Sequence, residues 1–254
     1  MAADHLTGVR IAFTHMTQPS PMFRVVDALR IGCRFHGPWL PFVILHRLWI
    51  YLFRKLFGAP AFVFAGQKYP YLVHPYALDN ERTVEIAIAG EFLRDKKTRQ
   101  ILEVGNVLSN YLSFAHDVVD KYEQTPGVIN EDIVTFSPGK KYDAIITLST
   151  LEHVGWDETP RQPEKILLAI ARLKELLQDG GTLLATMPLG YNPYVDDMAR
   201  AGKSGFSEVR YMKRTTADNQ WREVQLPEVA AARYGSPFPC ANAIVVGYFH
   251  KSDG

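Results

Sequence analysis

Ile101-Leu102-Glu103-Val104-Gly105-Asn106-Val107-Leu108-Ser109 decides how this chain is read. A short apolar run ends at an acidic residue and turns at one glycine, and the chain then enters a helix. Further on, Tyr142-Asp143-Ala144-Ile145-Ile146-Thr147-Leu148-Ser149-Thr150-Leu151-Glu152-His153 repeats the idea. Working outward, strands are predicted at 100–104, 116–120, 132–135, 143–148 and 182–187, with two more near 207–213 and 243–249. Helices are predicted at 81–94, 107–114 and 163–178. In the last, Ile166, Leu167, Ile170, Leu173 and Leu177 recur at helical spacing, and Asp179-Gly180-Gly181 stops the helix. Strands alternating with amphipathic helices predict an α/β domain built on a mainly parallel sheet.

The chain of 254 residues, 47% hydrophobic, suffices for one large domain or for a domain with an appendage. Its character changes near residue 80. Residues 1–80 are irregular, aromatic and proline-punctuated, and are read as a cap that covers substrate; residues 81–254 carry the strand–helix alternation. A net charge of +1 argues against a nucleic-acid partner, because phosphate neutralisation needs a strong basic excess. Cys33 and Cys240 have no metal-ligand spacing and suit a reducing compartment. The polar start Met1-Ala2-Ala3-Asp4-His5 does not read as a signal peptide, so the cytoplasm is the expected location.

Residues 38–57 are strongly apolar, but His46 and Arg47 interrupt them, so a spanning helix is not expected. On a helical wheel Arg47, Tyr51, Arg54 and Lys55 form one polar stripe. Packing on the core, a dimer contact, a lipid-shaped acceptor pocket and a peripheral membrane contact all remain open for this segment.

In an open α/β sheet the ligand lies beyond the carboxyl ends of the strands. Residues that follow each strand are therefore the candidates for a pocket. They are Gly105 and Asn106 after the first, Asp120 closing the second, Asp132 and Ile133 at the third, and Ser149 and Thr150 after the fourth. An acid at the end of the second strand can accept both hydroxyls of a ribose.

Together these stretches resemble the class I S-adenosylmethionine-dependent methyltransferases. The resemblance covers roughly residues 70–200. It implies a Rossmann-like seven-stranded sheet with helices on both faces and S-adenosylmethionine as cofactor. It places Glu103 near the methionine moiety, Asp120 on the ribose, Asp132 on the adenine amino group and Ile133 against the ring. Val107 and Ser109 stand where the family's first motif usually has further glycines. Asn80 to Glu85 and Met187 to Pro193 look like a bacterial subgroup associated with glycans and natural products, which implies polysaccharide biosynthesis as the setting.

Transfer to a hydroxyl calls for a base or a metal, since a protonated hydroxyl is a poor nucleophile. His153 is the candidate base, because an imidazole takes a proton near neutral pH; shaping the cofactor pocket is its other reading. Glu152 is read as orienting its neighbours. Trp156, Asp157 and Tyr191 are candidates for holding the acceptor, with Glu158, Asp196 and Asp197 nearby. No ligand spacing identifies a metal; Mg²⁺ on loop carboxylates is the option left open. Ser149-Thr150-Leu151-Glu152 replaces the Asn-Pro-Pro-Tyr-like motif that base methylation would call for. The leading expectation is O-methylation of a small polar acceptor, a sugar or oligosaccharide. Alternatives are a lipid or aromatic natural product as acceptor, or a non-catalytic partner protein that keeps the fold.

Overall fold

In this computed structural model the described residues are 60–74, 76–94, 96 and 99–253, with positions 42, 45, 48, 49, 51–53 and 56 of a helical stretch. Cys33, Arg47, Arg54 and Lys55 lie outside them.

A hairpin opens the described fold: β1 (Ala61–Phe64) pairs antiparallel with β2 (Gln67–Pro70). Helix α1 (Arg82–Phe92) follows. The main sheet then takes β3 (Ile101–Val104), β4 (Asp117–Val119), β5 (Val128–Ile129), β6 (Tyr142–Leu148) and β7 (Leu177–Pro188), all parallel. Helix α2 (Lys165–Leu176) links β6 to β7, and α3 (Pro193–Arg200) follows β7. Strands β8 (Glu208–Arg214), β9 (Trp221–Val224) and β10 (Ala243–His250) complete the sheet in antiparallel pairing. The order is β5-β4-β3-β6-β7-β10-β8-β9, one strand more than expected, the extra one being β9.

Side-chain alternation fills both faces. Ile145, Leu183, Ala185 and Val245 point to the face covered by Ile166, Ile170 and Leu173 of α2 and by Val195 and Met198 of α3. Ala144, Ile146, Leu184, Ile244 and Val246 point the other way, toward Val84 and Ile88 of α1 and Phe62 and Phe64 of β1. Strands covered on both faces read as continuous apolar runs, which is why β6 and β7 stand out in the sequence.

Three local expectations are corrected. No α-helix forms over 107–114, only a 3-10 turn at Leu108–Asn110. The Asn110 amide side chain donates to Asn106 O at 2.9 Å, occupying the carbonyl that would accept the next helical bond. Residues 132–135 are a turn, not a strand, because Asp132 Oδ1 accepts the Val134 amide at 3.0 Å; the third strand is the shorter β5 upstream. Helix α2 ends at Leu176, since Leu177 already pairs with Tyr142 in the sheet, and Asp179-Gly180-Gly181 lies within β7.

Candidate active site

The parallel strands end along one edge of the sheet, and β3 is the point where the chain's progress reverses: β4 lies on one side of it, β6 on the other. A cleft of about 330 Å³ opens there. That volume lies at the lower end of the roughly 300–1,000 Å³ typical of small-molecule sites. Gly105, Asn106, Asp120, Asp132, Ile133, Ser149, Thr150 and His153 all line it. Glu103, Trp156, Asp157 and Tyr191 do not.

Glu103 is 1% exposed and points back into its own loop. Its Oε1 accepts the amides of Val107, at 2.7 Å, and Leu108. Its Oε2 meets Ser109 Oγ at 3.3 Å and His116 Nε2 at 2.7 Å. The carboxylate thus fixes the backbone of the loop after β3. His116 Nδ1 faces Phe114 O at 3.0 Å, so both ring nitrogens meet acceptors and both carry protons. Burial disfavours that cation, but the hydrogen bonds to Glu103 and Phe114 and the charges of Glu103 and Asp117 together outweigh it and raise the imidazole above its usual range.

Gly105 has φ +80, and a Cβ there would run into the Thr150 side chain. The close approach that this glycine allows is therefore to Thr150, across the floor of the cleft. Ser149 is also left-handed, at φ 41. Its Oγ donates to the buried Glu85 Oε1 at 2.5 Å, and Thr186 Oγ1 donates to the same atom at 2.6 Å. Arg82 Nη1 binds Glu85 Oε2 at 2.6 Å and Leu148 O at 3.1 Å. Helix α1 is thereby latched to the ends of β6 and β7, which fixes the strand end that carries Ser149 and Thr150.

Across the cleft, Asp120 Oδ1 accepts the amides of Tyr122 and Glu123, both at 2.8 Å. Its Oδ2 has no partner among the described residues, which suits a ribose hydroxyl pair. Asp132 is committed differently: its Oδ2 meets Lys165 at 2.7 Å and Lys121 at 3.0 Å, and both lysines also reach Glu158. Burial pushes the Asp132 carboxyl up, but the hydrogen bonds from Lys165, the Val134 amide and Lys121 prevail and hold it at about 2. Val104, Val107, Val119 and Ile133 supply apolar wall. A nucleoside with a charged tail fits this donor and acceptor set.

His153 sits at the mouth, 46% exposed in its side chain. Nδ1 is 2.5 Å from Asp157 Oδ2, and Tyr191 Oη donates to the same oxygen at 2.6 Å. Burial raises the Asp157 carboxyl, but the bonds from Tyr191 and His153 lower it overall. Nε2 lies 3.5 Å from Glu152 Oε1. Glu152 is buried, that burial pushes its carboxyl well above the usual range, and its Oε2 has no hydrogen-bond partner. Trp156 is not part of the cleft lining, and the Arg161 guanidinium lies over its ring, 4.3 Å from the centroid.

Lys121, Tyr122, Glu123 and Glu158 line the cleft without having been singled out as cofactor residues in the sequence. The first three directly follow Asp120, a position that is itself the signal. Among the described residues no group of three or more histidines, cysteines and acids is placed to hold a metal ion.

Five parallel strands reversing at β3, then β10 running antiparallel between β7 and β8, are a distinctive order. The fold is that of the class I methyltransferases. Solved structures similar to the chain include the N-methyltransferase NodS from Bradyrhizobium japonicum, with S-adenosylhomocysteine: 13% identity over 68% of this chain and 94% of that one, TM-score 0.38. The sugar N-methyltransferase KedS8 from Streptoalloteichus gives 12% identity over 66% and 87%, TM-score 0.33. The glycopeptide N-methyltransferase MtfA gives 12% over 64% and 88%, TM-score 0.32. Likeness this low adds nothing to what the strand order establishes. No family model matches the chain, and no curated protein does.

Proposed function

We propose that this methyltransferase fold is an active enzyme that transfers a methyl group from S-adenosylmethionine to a hydroxyl of a small polar acceptor, a sugar or the end of an oligosaccharide. The observation that carries the reading is the His153–Asp157 pair at the mouth of the cofactor cleft. With Asp157 accepting from Nδ1–H, the imidazole keeps Nε2 unprotonated and able to take a proton, and the carboxylate then stabilises the imidazolium. Tyr191 steadies Asp157 by donating to it. When bound, the cofactor supplies an already activated methyl group on a sulfonium. The chain's task is then to hold donor and acceptor in line and remove the acceptor's proton. Asp120 would take the ribose hydroxyls, Ile133 the adenine ring, and Ser149 and Thr150 the edge of the cleft nearest the transfer. Asp132, with Oδ2 bound by two lysines and Oδ1 by the Val134 amide, would accept from adenine only with an oxygen already engaged.

Calorimetric titration with S-adenosylhomocysteine, with NAD and ATP as controls, tests the cofactor; binding of the first alone is expected. Labelled donor then tests acceptors, with sugars, amino sugars and lipids as separate arms. His153→Ala should keep cofactor affinity and lose roughly 10²–10⁴-fold in turnover on a hydroxyl acceptor. Unchanged turnover would remove the base, and labelling of the amino sugar alone would replace the hydroxyl by an amine.

A further inference from the structure

We propose that the helical stretch within residues 42–56 seats this protein on an anionic lipid surface. Leu45, Leu48, Trp49, Leu52 and Leu56 are helical and exposed to 63%, 50%, 60%, 46% and 74%. Their spacing places them within one stripe, about a third of the circumference of a helix with 3.6 residues per turn. Phe42 and Phe53 extend that stripe, and Trp49 stacks on Phe53 with ring centroids 5.4 Å apart. Over the remaining described residues, exposed large apolar side chains are scattered: Val63, Tyr122, Leu167, Leu168 and Tyr234. Scattered ones are ordinary on a protein surface, whereas a continuous stripe marks a contact face.

Charge selects the occupant. No acidic residue occurs between Asp27 and Asp79, while Arg30, Arg34, Arg47, Arg54, Lys55 and Lys68 do. That interval therefore carries +6, and since the whole chain is +1 the remainder carries −5. A basic, aromatic stretch with an apolar stripe suits the boundary between headgroups and acyl chains of an anionic bilayer. Trp and Tyr favour the same depth. The acidic remainder is repelled by such a surface, which leaves this stretch to make the approach. A second copy is disfavoured by the same count, since symmetric pairing would bring like charge together. No helix among the described residues is long and apolar enough to cross a membrane, so the contact lies in the interface.

The test is flotation of the full chain with phosphatidylcholine vesicles containing increasing phosphatidylglycerol, at low and high salt. Binding is expected to rise with the anionic lipid and fall at least about tenfold in high salt, as electrostatic attachment does. Leu45→Glu with Leu52→Glu should abolish binding while leaving thermal unfolding unchanged. Arg47→Gln with Arg54→Gln provides a second variant that spares the apolar stripe and should weaken binding to anionic vesicles only. Folded wild-type protein that stays off anionic vesicles overturns the proposal. So does binding that survives both double variants, or a dimer in sedimentation equilibrium that the leucine variant dissolves without any vesicle binding.

Discussion

His116 and Asp120 bracket one three-residue strand, and each has a measurable consequence. The His116 imidazole, raised by its bond to Glu103, stabilises the folded state fully below its unfolded pKa of about 6.5 and loses that contribution as pH climbs through the higher folded value. The stability gap between wild type and His116→Ala should therefore be widest near pH 6 and narrow toward pH 9, read by urea unfolding. For Asp120→Ala, two charge-assisted hydrogen bonds to the ribose are at stake. At roughly 1.5–3 kcal/mol each, calorimetry should show at least about a hundredfold weaker S-adenosylhomocysteine binding. The place of Asp120 on the cleft was legible because a carboxylate ending the second strand lies at the carboxyl edge of the sheet. The hydrogen-bonding of Glu103 was not: the sequence shows an acid before a glycine, but not which way the side chain turns. Nor does it show that His116, thirteen positions later, supplies the counter-charge.

At the level of elements, the turn after β3 shows how a lone glycine suffices. Gly105 provides the left-handed step, and Glu103 gathers the following amides. Gly105→Ala should cost at least about 2 kcal/mol in thermal unfolding, from the left-handed backbone and the overlap with Thr150 together. The same turn explains why the helix expected at 107–114 is absent. Its apolar spacing is helical, but Asn110 caps the first turn with its side chain. The long buried strands β6 and β7 were legible because continuous apolar runs leave few other options. Strand β5, two residues long, carries too little pattern to be found, and the turn after it was mistaken for it.

Over the whole molecule, distant stretches of chain are joined by few, specific bonds. Tyr71 Oη accepts the Trp221 amide at 2.7 Å and approaches Trp221 O at 3.2 Å, tying the segment after the hairpin to β9 across 150 positions. Tyr71→Phe should strand both backbone groups and lower stability by about 1–3 kcal/mol in denaturant unfolding. No local pattern announces such a tie, which is why β9 and the hairpin went unread while the parallel core was plain. The sheet's edges carry a different consequence. One margin is β5, only two residues long; the other, β9, has four residues and lies against β1, with Glu223 receiving the Ala65 amide at 2.8 Å. An open sheet grows into fibrils by adding strands to long bare margins, and among the described residues neither margin offers one. Concentrated, folded protein should therefore resist edge-to-edge polymerisation, staying dark to amyloid dyes even where crowding drives it out of solution.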